Sequence, residues 1–400
     1  METILFFGAG LLLVRAGQVL YAVGLCRSKN SAAAALRGVA DLCVAVLAFW
    51  AVGAAILFQG HNGFFGIKPG LLLGWSGMTG RQFFYAAATL MASGVVGGTL
   101  GERSKLLPPL AASVLVSAVL VPVGGHWAWE GGWLARLGFF DVAGASVIHL
   151  SAGVCAAVGA VMLGARTGKY NRDGSANMIP GHNIPLAAAG ALVVFAAWFP
   201  YVIGSAVARG EVRNTLEGPM NVLLAAAAGG AGAIALAHFR YGKPDVVLTL
   251  SGLLGGLVAI SAAGGRVGSG AAVVIGAVAG ILVPLSAVSL DLLAHLDDPT
   301  AGVSIHAVGG LWGTLAVGLF SPGSFVDRVK LLGAQALGAV AIIVLAAGLS
   351  AALFAVLRAT VGLRVKEADE YDGLDLAEHD IGAYPDFQQT MIKSYHLREA

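Results

Sequence analysis

Eleven stretches of this 400-residue chain are apolar enough to cross a bilayer, and no other feature constrains its fold as strongly. A membrane-spanning helix needs about 20 mostly apolar residues. With soft edges, the stretches are 3–26, 39–58, 83–101, 107–122, 142–164, 184–208, 220–238, 246–264, 271–289, 302–320 and 331–357. They predict an all-α polytopic membrane protein with eleven transmembrane helices. A transmembrane β-barrel would instead show alternating segments of about ten residues, and none is present. Charged residues make up 12% of the chain and mean hydropathy is +0.81. A soluble domain carries roughly twice that charge. The 58 glycines suit close helix contacts inside a bilayer. The net charge of +2 gives no footing for a nucleic-acid partner. Cys26, Cys43 and Cys155 lie singly in apolar runs, which form neither a disulfide framework nor a metal motif.

The first span follows Met1 almost directly and lacks the basic head and cleavage site of a signal peptide, so it reads as a mature helix. An odd number of spans puts the termini on opposite sides. Loops after odd-numbered spans, with the start of the tail, hold thirteen Lys and Arg residues between Arg27 and Lys366; the opposite loops hold eight between Lys68 and Lys330. The positive-inside rule then places the first set in the cytoplasm. The expected location is the cell (inner) membrane, N-terminus outside and C-terminus inside. Residues 1–358 form the membrane domain and 359–400 a cytoplasmic tail. That tail is acidic from Glu367 to Asp380 and ends in an imperfect helical stripe from Phe387 to Glu399.

Two stretches repeat each other. Asp141 and Asp298 each stand eight residues before a histidine, His149 and His306; Ile148 and Ile305 directly precede it, and Gly153 and Gly310 follow it by four. One stretch opens the fifth span and the other the tenth. Five is odd, so the repeats run in opposite directions through the membrane, as in an inverted-topology repeat of helices 1–5 and 6–10. A lone histidine in a helix is more often a hydrogen-bonded packing residue than a functional one. Two at equivalent repeat positions inside membrane spans favour a site, because ionisable groups there are costly. An Asp at a helix start is first a cap; Asp141 also holds a loop whose carbonyls could face a cation.

The stretches GLCRSKN (24–30), DVAGASVIHLSAG (141–153), GHNIPLAAAG (181–190), DDPTAGVSIHAVGGLWGTLAVGLF (297–320) and GLRVKEADEYDGLDLAEHDIGAYPDF (362–387) together resemble the ammonium transporter (Amt/Mep/Rh) family over essentially the whole chain. The resemblance implies a homotrimer in the lipid bilayer, each protomer carrying its own pore, with ammonium or ammonia as substrate and no cofactor. It makes His149 and His306 the pore's twin histidines. It makes Trp129, twelve residues before Asp141, and Ser205 an outer recruitment site for ammonium. Trp is the best cation–π face, and a serine oxygen accepts an ammonium N–H. Trp127 and Trp133 read rather as an interfacial belt. Trp198 joins Asp141 as a structural or electrostatic residue, and the tail resembles the segment on which PII-type regulators act.

Three departures stand out. A gap-free count from Glu102-Arg103 puts the family's two gate rings at Ala88 and Tyr201, so one ring is missing and the other carries a hydroxyl; a π-bulge would move the first onto Tyr85 or Phe84. In the first span Arg15 replaces a Gln and Ala22 a Glu. An arginine there needs a partner, with the Tyr21 hydroxyl or a backbone carbonyl within sequence reach. The tail also continues past AYPDF with Gln388 to Ala400. Two functions follow: ammonium transport, and an ammonium sensor that binds in the same fold, conducts little and signals through the tail to a partner or fused domain. No P-loop, nucleophile elbow or metal cluster supports an enzyme.

Overall fold

The computed structural model describes residues 2–59, 63–74, 77 and 79–385. Eleven long helices account for the bundle: α1 (Thr3–Leu25), α2 (Ser28–Leu57), α3 (Gly80–Thr99), α4 (Leu107–Arg136), α5 (Ala145–Leu163), α6 (Ile184–Arg209), α7 (Thr215–Tyr241), α8 (Val246–Ser261), α9 (Ser269–Leu292), α10 (Val303–Phe320) and α11 (Phe325–Thr360). Each matches one expected span. Among the described residues the β-type pairing is two isolated bridges, Ser104 with Arg364 and Tyr170 with Ala176. Helix ends differ from the expected edges where polar caps set them. Ser324 and Asp327 form a capping box that starts α11 six residues before the apolar run. Thr79 and Gln82 do the same for α3, and Asn183 and Asp245 cap α6 and α8. The α4 helix runs on past residue 122 and carries Trp129 to the last turn before its short break at 130–132, because Pro122 falls where a π turn has already released a carbonyl.

Four helices contain a π turn: Phe49–Gly53 in α2, Val116–Leu120 in α4, Ala145–Leu150 in α5 and Val303–Val308 in α10. The last two hold His149 and His306 and open the two repeated helices. Their starts are capped alike. Asp141 accepts from the backbone N–H groups of Ala145 (2.8 Å) and Ser146 (2.9 Å) and from the Ser146 hydroxyl (2.5 Å). Asp298 accepts from the N–H groups of Gly302 (3.0 Å) and Val303 (2.7 Å) and from the Thr99 hydroxyl (3.0 Å). The repeated glycines are reciprocal as well. A Cβ at Gly153 would stand 2.3 Å from the Ala307 nitrogen, and one at Gly310 would stand 2.9 Å from the Leu150 nitrogen. Each glycine therefore packs on the residue that follows the other repeat's histidine. Only a residue with no Cβ lets the two backbones meet this closely.

Loops at the end of the bundle that carries the tail are tied by buried charge. Arg166 pairs with Glu102 (2.5 Å) and Asp297 (2.8 Å), and Arg27 pairs with Glu102 (2.6 Å). Burial opposes ionisation of Asp297, but the Arg166 hydrogen bonds and charge, with Arg103 beside them, outweigh it and hold its pKa at about 2. Glu102 is lowered in the same way, its burial overcome by Arg166 and Arg27. Two short helices, α12 (Glu367–Asp372) and α13 (Leu374–His379), fold back on this network. The Asp375 carboxylate accepts from the N–H groups of Ala32 (3.1 Å) and Ala33 (2.8 Å), capping α2. Glu370 takes the Thr167 N–H (2.7 Å) and Arg364 (2.6 Å), and His182 meets the Tyr384 hydroxyl at 2.7 Å. The expected terminal helix 387–399 lies outside the described residues.

Candidate functional site

The two π turns aim both histidines at the line where α5 and α10 cross. Their Nδ1 atoms stand 3.1 Å apart, one hydrogen bond, and the rings stack with centroids 5.1 Å apart. His149 is fully buried and its Nε2 has no hydrogen-bond partner among the described residues. Trp198 stacks on its other face (5.2 Å, 12° between planes) and Tyr201 meets it edge-on at 6.2 Å. Trp198 is itself fixed, its indole N–H donating to the Ser261 hydroxyl at 3.0 Å. Beyond His306, toward the tail end, lies a cavity of about 50 Å³ lined by Gln18, Tyr21, Thr300 and apolar side chains. That is room for a few water molecules.

On the other side of His149 the residues 139–144 form a loop whose backbone is held from five directions. Gln335 of α11 accepts from the Phe140 N–H and donates to the Phe140 carbonyl, both at 2.8 Å, as a neighbouring strand would. The N–H groups of Val142 and Ala143 donate to the carbonyls of Ala262 and Ser261. The Asp141 carbonyl accepts from the Trp129 indole and from Arg209, each at 2.7 Å. The Ala143 carbonyl accepts from the Tyr201 hydroxyl.

Trp129 thus reaches the loop, and Tyr85 stacks on it at 5.3 Å with 20° between planes. Phe58 and Phe84 pack against Tyr85 in turn. The ring beside Trp129 belongs to Tyr85, whereas Ala88, the position a gap-free count picked, is a buried methyl further along α3. The α3 helix is α-helical from Gly80 to Thr99 and contains no π turn. Ser205 is buried on α6, one turn beyond Tyr201 and one turn before Arg209. Trp127 and Trp133 pack with Phe64 in a separate aromatic group, apart from the Trp129–Tyr85 pair.

Arg15 finds one of its two expected partners, a backbone carbonyl, and adds a carboxylate. It donates to the Leu90 carbonyl (2.5 Å) and the Ser93 hydroxyl (2.9 Å), and it forms a buried ion pair with Asp41. Tyr21 stands six residues away, well round the helix, and its hydroxyl contacts the Thr300 carbonyl instead. Sequence reasoning missed Gln335, Arg209, Ser261 and Asp41. Two of these, Arg209 and Asp41, carried a visible signal as charges inside or at the edge of apolar runs.

Residues 2–384 match the model of the Ammonium Transporter Family. The chain is 34% identical to ammonium transporter Amt2 of Archaeoglobus fulgidus over 414 aligned positions, covering 96% of this chain and 88% of that protein. Its fold is similar to a structure solved as a sensor Amt protein, with a TM-score of 0.89 and 32% identity over 94% of this chain and 97% of the other. It is also similar to Mep2 of Saccharomyces cerevisiae, with a TM-score of 0.81 and 26% identity over 92% and 87%. A match this long, on a fold whose repeated helices cross at paired histidines, leaves one conclusion: the chain belongs to the ammonium transporter family.

Proposed function

We propose that this protein carries ammonium nitrogen across the cell membrane along the line Trp129, Tyr201, His149, His306, and that the cavity beyond His306 is the inner half of the path. The supporting observation is the single 3.1 Å contact between the Nδ1 atoms of buried His149 and half-buried His306. A neutral imidazole has one N–H and one bare nitrogen. Sharing one proton between the Nδ1 atoms makes one ring the donor, with a bare Nε2, and the other the acceptor, with an Nε2–H. The pair is therefore directional. It can take a proton at one end and give one up at the other, after which both tautomers are exchanged. Ammonium that loses its proton on this line passes as ammonia, a neutral molecule that apolar walls tolerate. Potassium has no proton to give and meets the full cost of desolvation. Size alone would not separate the two ions.

In this reading Trp129 and Ser205 recruit the cation from outside, and Tyr201 with Tyr85 narrows the throat beneath them. Asp141 holds the loop, and Trp198 holds His149. The tail end faces the cytoplasm, as the excess of basic residues there supports. The homotrimer and a PII-type regulator at the tail rest on the family resemblance. A second reading is the ammonium sensor. The tail's seat on α2 and on the loop after α5 favours it, as does the likeness to a sensor Amt protein. Replacing both histidines, His149→Ala with His306→Ala, tests the pore. We expect ammonium flux to be lost, or to admit potassium; a double variant with unaltered flux and selectivity refutes the assignment.

A further inference from the structure

We infer that Arg209 is a resident cation at the outer recruitment site and sets that site's affinity for ammonium. The inference rests on the reading of Trp129 as the recruiting face. Arg209 Nη1 and Trp129 Nε1 donate to the same Asp141 carbonyl, each at 2.7 Å. A carbonyl has two lone pairs, so this oxygen is fully used. The guanidinium nitrogen and the indole nitrogen also lie within two hydrogen-bond lengths of each other. A cation drawn to Trp129 must therefore approach a permanent positive charge.

The surroundings offset that charge only in part. Glu211 is 3.4 Å from Nη2, a loose pair, and the Asp141 carboxylate is taken up by the Ser146 hydroxyl and by the N–H groups of Ala145 and Ser146. The tighter acid of this region, Glu130, is taken by Arg81 at 2.5 Å. Arg266 adds a second guanidinium over the ring of Phe140, 4.2 Å from its centroid, where Arg209 stands at 5.8 Å. The side chain of Arg209 is 13% exposed, so solvent screens it only in part. The Ala143 carbonyl, two residues along the loop, is occupied by the Tyr201 hydroxyl, and one face of Trp129 by Tyr85. An incoming ammonium meets two loop carbonyls, those of Asp141 and Ala143, that already have donors. At an effective dielectric between protein and water, one unit charge at such range weakens cation binding on the order of tenfold.

The test is the half-saturating ammonium concentration, measured by transport or by calorimetric binding on the full-length protein in vesicles. Arg209→Gln keeps an N–H for the Asp141 carbonyl and removes the charge; it should tighten half-saturation several-fold. Arg209→Lys keeps the charge and should lie nearer the unsubstituted protein than Arg209→Gln does. A gain of affinity separates this role from a structural one, since loosening the loop would weaken binding in both variants. Trp129→Leu, measured alongside, should weaken half-saturation. If it does and Arg209→Gln is unchanged or weaker, the resident-cation inference is overturned and the outer site stands. If Trp129→Leu has no effect, the outer-site reading fails, and this inference with it.

Discussion

The Arg15–Asp41 pair shows what a single charged residue costs and does inside the bundle. Arg15 sits within an apolar helix, where an isolated guanidinium is not tolerated, and Asp41 of α2 neutralises it while also accepting from Ser93 (3.0 Å) and from Ser113. Removing one member leaves the other charged and buried. Arg15→Ala should therefore lower stability by about 3–5 kcal/mol, and Asp41→Ala by a similar amount. The double substitution should recover much of the loss, as read from the melting temperature in detergent. Additive losses would mean that the two residues act separately. The sequence announced that Arg15 needed a partner but not which one, because Asp41 lies 26 positions away on another helix and reads locally as an ordinary interruption of an apolar run. His149 and His306 were legible for the opposite reason. The repeat repeats its chemistry, so aligning two halves of one chain marks equivalent positions without any structure. Arg209 fell between these cases: it counted as one more basic loop residue, and its seat on the Asp141 carbonyl exists only once α6 and the 139–144 loop are packed.

At the scale of elements, helices were read with fair edges where apolar runs ended at caps, and poorly where a cap or a π turn moved the boundary. The π turns at the two histidines leave no mark in composition. They follow from a cap at Asp141 or Asp298 that draws in two successive N–H groups, and from the crossing at Gly153 and Gly310. The loops of the tail end are held by charge instead. Asp297 ordinarily titrates near 3.8 and here near 2, so folding favours its ionised form. Its contribution is complete above about pH 4 and is lost as pH falls from about 4 to 2. Hydrogen exchange at residues 164–169 and 295–300 should rise over that interval in the native protein and less in Arg166→Gln, which has already lost the pairing. Equal acid sensitivity in both would place the anchor elsewhere.

Across the whole molecule, the two repeats meet at the paired histidines, while buried charge gathers at the Arg15–Asp41 pair and at the tail end. From the far end inward the proposed line carries basic side chains around Trp129, then two tyrosines, then two histidines in contact through their Nδ1 atoms, then a small cavity above a charge-tied floor on which the tail rests. Among the described residues nothing along it offers a bare cation a continuous polar lining, which is why deprotonation rather than size carries the selectivity in this account. That is also where transport and sensing part, since a sensor needs the outer half of the line and a transporter needs all of it. The direct measurement is electrical: purified protein in liposomes on a solid-supported membrane, given an ammonium jump, with potassium jumps and protein-free liposomes as controls and a pH dye inside. The account predicts a saturable response to ammonium, as current or as internal alkalinisation, that potassium does not reproduce. Neither current nor pH change, together with saturable ammonium binding by calorimetry, would contradict transport and leave the sensor.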